Sequence, residues 1–218
     1  MGEPGRSIID VMTQAEREQL RKNTQDIARL LHQCPKIVEF TVTPLVAELG
    51  SSVTVTVSAR ISGEAETVKL FRGEEVMTAA VSDSGVVSGQ ASGVSQPCVF
   101  RVKATDALEH TISAEKSVAF QNGVYTGAGG ASTAISSLNK TLQASRAKTF
   151  TVTAGAGEYV WYACPVRYGS PVFKVGGFEG GFELVRSEDY TNPSGYTEGY
   201  QLWRSTNANL GTMTVTVS

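Results

Sequence analysis

Two stretches, KIVEFTVTP (residues 36–44) and SSVTVTVSARI (51–61), decide how this chain folds. In both, apolar and polar residues alternate, the period of a strand with one face buried and one face wet. ETVKLFR (66–72), PCVFRVKATDA (97–107) and HTISAEKSVAFQ (110–121) repeat the pattern, with turn signals at Gly50, Gly63, Gly73, Asp83 to Gly85 and Gly93 between them. Roughly seven short strands in about 85 residues, with no helical period, imply a β-sandwich over residues 35–121.

A second β unit is expected over residues 122–218. NGVYTGAGGASTAIS (122–136) reads as a glycine-rich linker, and SSLNKTLQASR (136–146) as a short helix or an irregular crossing. Strand patterns then follow in KTFTVTAGAGEYVWYACPV (148–166), PVFKVGGFEGGFELV (171–185), GYTEGYQLWRS (195–205) and GTMTVTVS (211–218). AGAGE (154–158) has the composition of a hairpin turn. Tyr159 and Trp161 alternate within a strand and are expected in the core.

Composition bounds the function. The formal net charge of −2 provides no basic field for phosphate-backbone binding, so nucleic acid is not an expected partner. No stretch approaches the ~20 apolar residues of a membrane-spanning helix, and the first 30 residues lack an apolar run of signal-peptide type. Cys34, Cys98 and Cys164 are far apart and form no CxxC pair, so neither a zinc site nor a disulfide framework is expected. With His32 and His110 the only imidazoles, no metal, cofactor or catalytic triad is expected.

Ahead of the first strand, TQAEREQLRKNTQDIARLLHQ (13–33) contains no Gly or Pro and opens with the capping pair Thr13 and Glu16, which predicts a helix ending near Pro35. With Leu20 at an a position of a heptad, Asn23 falls at d, Ile27 at a, Leu30 at d and Cys34 at a. The seam is apolar except at Asn23, with Thr24 at e. A buried amide costs stability but can fix register and chain number in a coiled coil. GEPGRS (2–7) has the glycine spacing of two collagen-like triplets, and residues 1–12 are assigned to a collagen-like remnant or linker.

LRKNT (20–24) resembles the asparagine-core motif of trimeric coiled coils in bacterial adhesins and phage fibres, although Leu20 stands where Ile or Val is usual. That resemblance implies a parallel trimer over residues 13–34, with Leu20, Asn23, Thr24, Ile27 and Leu30 on the axis and an anion such as chloride held by three Asn23 amides. The missing Cys-Trp-Cys set excludes an antibody-type domain at 35–121 and leaves an Ig-like module of the bacterial or viral kind. FQNGVYTGAG (120–129), YVWYACPVRYGSPVFKVGGFEGGFELV (159–185) and TNPSGYTEGYQLWRSTNANLGTMTVTV (191–217) resemble the C-terminal regions of phage and prophage tail-fibre proteins. The expected fold class is therefore mainly β: an N-terminal coiled-coil helix, an Ig-like β-sandwich and a C-terminal β-sandwich.

The resemblance implies a homotrimeric virion appendage, assembled in the host cytoplasm, joined to other virion proteins through its N-terminus and attached to a host-surface glycan or protein. Trimerisation would let shallow sites act through avidity. For such a ligand, Tyr168, Phe178, Tyr190, Asn192, Tyr196 and Trp203 are the candidate contacts, since aromatic faces and amides suit the two sides of a sugar. A virion decoration or head-fibre protein that binds no receptor is the alternative. A carbohydrate-degrading appendage using two of Glu179, Glu183, Glu188 and Asp189 is a third reading, but turn-rich acids are usually solvated, and no enzymatic activity is expected. GGFEGG (176–181) lacks the Lys and helix of a phosphate loop.

Overall fold

The computed structural model describes residues 12–82 and 84–218, with the side chains of 28–31 excepted. The collagen-like triplets lie outside the described residues. The fold is mainly β, with antiparallel sheets and one α-helix among the described residues, α1 (Gln14–Leu31).

The first sheet has the order β1-β3-β7-β6, from β1 (Lys36–Thr43), β3 (Val53–Ser62), β7 (Val86–Val94) and β6 (Ala80–Val81). Alternation explains why β3 faces inward where it does: Val55, Val57 and Ala59 are buried while Thr54, Thr56 and Arg60 are exposed. Across this core lie β4 (Thr67–Arg72), β5 (Glu75–Val76), β8 (Cys98–Thr105) and the first half of β9 (Thr111–Gly129), joined by the short β2 (Val46–Glu48), which runs parallel to β9. Phe40, Val55, Val57, Leu70, Val94, Phe100, Val102 and Val118 fill the space between these two layers.

The two β units are joined by a continuous strand and not by a linker. The glycine-rich stretch from Asn122 to Gly129, expected as a linker, is the second half of β9, a single strand of 19 residues. Its early residues pair with β8 and its late ones with β12 (Tyr159–Pro165) on one side and β10 (Asn139–Gln143) on the other. The result is a nine-stranded sheet whose main path is β15-β16-β12-β9-β8-β4-β5, with β15 spanning Phe182–Thr191 and β16 Thr197–Ser205. The glycines of this stretch allow close approach, since a Cβ at Gly129 would overlap the Thr133 side chain and one at Gly127 would sit 3.0 Å from Leu138 Cδ2.

A third sheet, β11-β17-β13-β14, is built from β11 (Lys148–Ala154), β17 (Gly211–Val217), β13 (Phe173–Val175) and β14 (Phe178–Glu179). Val124, Phe150, Val160, Tyr162, Cys164, Phe173 and Val215 pack between it and the large sheet. The opposite face of the large sheet carries Tyr125, Trp161, Ala163, Tyr200 and Leu202 under Ile135 and Leu138. β12 is therefore buried on both faces, which is why YVWYACP lacks a wet alternate position. Trp161 is fully buried, as expected, and its indole N–H donates to Gly130 O at 3.0 Å.

Two further local expectations change. Residues 135–137 form a 3-10 turn, and 139–143 form a strand rather than a helix or irregular crossing. AGAGE is a turn closed by Glu158 N–H on Gly155 O at 3.1 Å, but the strands it joins enter different sheets, so it is a corner and not a hairpin. A true two-residue hairpin occurs at Gly176 and Gly177, with φ of 58° and 88°, between β13 and β14.

If Gly129 is packed strand, Gly129→Val should lower unfolding free energy by about 1–3 kcal/mol through overpacking, whereas a linker glycine would tolerate it. Leu70→Ala should cost about 2–5 kcal/mol as a buried truncation. Chemical denaturation followed by Trp fluorescence reads both.

Candidate functional site

The helix and the distal half offer two candidate surfaces. α1 starts with the predicted capping box: Thr13 N–H donates to Glu16 Oε2 at 2.8 Å, and Glu16 N–H returns to Thr13 Oγ1 at 3.3 Å. The bond from the Thr13 N–H holds the Glu16 carboxyl below its ordinary pKa. From Thr13 to Ile27 every residue is exposed, and among the described residues no hydrogen bond or ion pair joins this segment to a strand. Leu20 is 48% exposed and Ile27 56%, although they stand on one seam. Asn23 Oδ1 accepts from Gln19 Nε2 at 2.8 Å, and Thr24 Oγ1 donates to the Leu20 carbonyl at 2.8 Å. The side chain of Leu30 lies outside the described residues.

The six distal candidates do not share one patch. Tyr190 packs edge-on against Tyr125 and Tyr200, with ring centroids 5.4 and 5.6 Å away. Asn192 is buried and builds the β15–β16 turn, its Oδ1 accepting from the Ser194 and Tyr196 N–H groups at 3.0 Å each. Its Nδ2 donates to Leu49 O at 2.8 Å and so ties this turn to the β2 segment. Tyr196 sits in the same turn and donates from its hydroxyl to Glu198 Oε2 at 3.2 Å. Trp203 lies on the opposite face, 5.5 Å from the Phe173 ring. Tyr168 donates to Gln143 O at 2.7 Å, with Arg167 over its ring. Phe178 stands apart at the Gly-Gly hairpin of the third sheet, 82% exposed.

Charges frame the region between these turns. Glu198 Oε2 accepts from Asn122 Nδ2 at 3.0 Å and meets Arg167 Nε at 3.5 Å, while Glu48 Oε2 pairs with Lys140 Nζ at 2.8 Å. Burial raises the Tyr125, Tyr162 and Tyr200 hydroxyls above the ordinary phenol range and raises the Cys164 thiol, so these groups stay neutral. Of the four acids, Glu179 pairs with Lys174 at 3.2 Å, Glu183 with Arg204 at 2.6 Å and Glu188 with Arg186 at 2.8 Å.

One group escaped the sequence reading. His32, Cys34, Asp106 and His110 converge where α1 enters the first sheet. The His32 pKa is raised, first by its hydrogen bond to Asp106. Burial pushes Asp106 upward, but bonds from His32, from His110 and from two backbone N–H groups outweigh it and hold the carboxyl well below its usual range. The available signal was HxC at 32–34 and DxxxH at 106–110, which means little until the fold joins them.

No protein-family model matches the chain, and no curated protein matches it.

Asn192→Ala removes three hydrogen bonds from a buried turn and should cost about 1–3 kcal/mol, with faster amide exchange at Ser194 and Tyr196. Phe178→Ala should stay within about 0.5 kcal/mol of the parent. Denaturation and hydrogen-exchange measurements compare the two.

Proposed function

We propose that this chain is a subunit of a homotrimeric bacteriophage appendage that attaches to the host surface. In this reading α1 forms a parallel three-stranded stem, residues 35–121 an Ig-like spacer, and residues 122–218 the distal β-sandwich. The observation that carries the proposal is the helix itself, whose apolar seam lies exposed and unattached to the chain's own sheets among the described residues. Burying a side chain of the Leu or Ile type contributes about 1.5–3 kcal/mol relative to exposure, and three copies supply the missing cover. Asn23 in such a core would turn its amide inward, select register, and favour an anion on the axis.

The Ig-like assignment is supported by strand order. β1-β3-β7-β6 faces β2, β9, β8, β4 and β5, with β2 parallel to β9 and the other pairings antiparallel, as an Ig-like reading requires. The distal unit would present its turns to a glycan or a protein, with three weak sites acting together. A decoration or head-fibre role without receptor binding is the second reading. It is favoured by the inward engagement of Tyr190, Asn192 and Trp203, which leaves Phe178 as the most exposed candidate contact.

Light scattering of the purified chain at micromolar concentration should give the mass of three copies. Ile27→Asp should yield monomers with an unchanged β spectrum in circular dichroism; a monomeric parent chain would sink the stem. Purified trimer should also compete with phage for adsorption to host cells, and Phe178→Ala with Tyr196→Ala should weaken that competition. Absence of competition by the trimer selects the decoration role.

A further inference from the structure

The group at the entry of α1 has the makings of an ion site. His32 and Cys34 sit on the segment between α1 and β1, while Asp106 and His110 bound the turn between β8 and β9. Asp106 Oδ2 lies 2.7 Å from His32 Nε2 and 2.9 Å from His110 Nδ1, and Cys34 Sγ is 3.9 Å from His110 Nδ1. The four donor atoms all lie within 4.8 Å of one another. In a tetrahedral zinc site with bonds of 2.0–2.3 Å, ligand atoms are separated by about 3.3–3.7 Å. The separations here bracket that range, so changes of about 0.5–1 Å in the donor–donor distances would bring these four onto one ion.

The surroundings hold the donors in place. Asp106 has a side chain 0% exposed, and its other oxygen, Oδ1, accepts from the Leu108 and His110 N–H groups at 2.9 Å each. Only Oδ2 is left to face the centre. His32, with a side chain 9% exposed, has Nδ1 2.8 Å from Glu64 Oε2, which orients its ring with Nε2 toward Asp106. A carboxylate behind a ligating imidazole is the usual means of fixing its tautomer and raising its basicity. The segment is further clamped by Glu64 N–H on Gln33 O at 2.8 Å, beside Gly63, where any Cβ would overlap the Cys34 carbonyl. Cys34 is exposed and the His110 side chain 57% exposed, which leaves an open side for an ion to enter.

We propose that His32 Nε2, Cys34 Sγ, Asp106 Oδ2 and His110 Nδ1 form a binding site for a divalent transition metal, with Zn²⁺ the best fit and Glu64 as the supporting carboxylate. Two imidazoles, a thiolate and one carboxylate oxygen are a borderline-soft set that suits zinc and disfavours Ca²⁺ and Mg²⁺. The ion would cross-link the base of the helix to the β8–β9 turn and set the direction in which α1 leaves the first unit. This holds whether or not the helix enters a trimer.

The test uses the full chain stripped with chelator and titrated with ZnCl₂, with metal content measured after desalting. One Zn²⁺ per chain is expected, together with a higher melting temperature. Co²⁺ should produce the visible bands of a tetrahedral site and a thiolate-to-cobalt charge-transfer band that is lost in Cys34→Ser and kept in Cys98→Ser. Glu64→Gln should weaken Zn²⁺ binding about 10–100-fold, and His110→Ala, the more exposed ligand and the least costly to remove, at least as much. Circular dichroism checks that each variant folds. Failure of the folded parent chain to take up stoichiometric Zn²⁺, equal affinity in folded His110→Ala, or a cobalt spectrum without the thiolate band would each overturn the site and leave only a network of charged hydrogen bonds.

Discussion

The fold depends on the continuity of β9. Side chains of a strand alternate between faces, so one unbroken ladder commits a whole row of residues to one side of the sheet. In β9 the core members of that row are Ala114, Val118, Phe120, Val124 and Ala128. The first three pack in the core beneath β1, β3 and β7, and the last two in the core beneath β11 and β17. The other row begins in solvent with Ser113, Glu115 and Ser117, then reaches Tyr125 in the aromatic cluster under Ile135. A one-residue slip in the first half would turn Val118 and Phe120 out of their core and Glu115 toward it, and a slip in the second would turn Val124 out of its own, so each half resists a shift that the continuous strand would pass to the other.

Side-chain contacts reinforce that backbone link. The Asn192 amide on Leu49 O and the Lys140–Glu48 pair join the β15–β16 turn and β10 to the β2 segment, which itself pairs with β9. Gly50 lies under the Tyr196 side chain, where its missing Cβ makes room. These contacts are local to the seam between the halves. They show why residues far apart in sequence, such as 49 and 192, are neighbours in the structure.

Legibility in the sequence followed the number of wet faces. β3 and β8 have one buried row each, and their alternation could be read directly, as could the capping box of α1. β12 and the second half of β9 are covered on both sides, so their sequences lose the alternation that marks a strand. In β9 the glycines then resembled a linker, because close packing and flexibility call for the same residue. The aromatic candidates suffered from the same ambiguity: Tyr190 and Trp203 belong to neighbouring strands of one sheet but face opposite cores. The His32 group was hidden for another reason, since 74 residues separate His32 from Asp106 and neither local spacing is a known ligand pattern.

β15 has a further consequence. Among the described residues it pairs with β16 alone, so it is a free edge of a large sheet, ten residues long. Such an edge invites pairing with a strand from another molecule. Here it carries Glu183, Arg186, Glu188 and Asp189, and a register shift between Leu184 and Arg186 twists it. Charge and twist both oppose edge-to-edge addition. Copies of this chain crowded together are thereby discouraged from joining sheet to sheet along this edge.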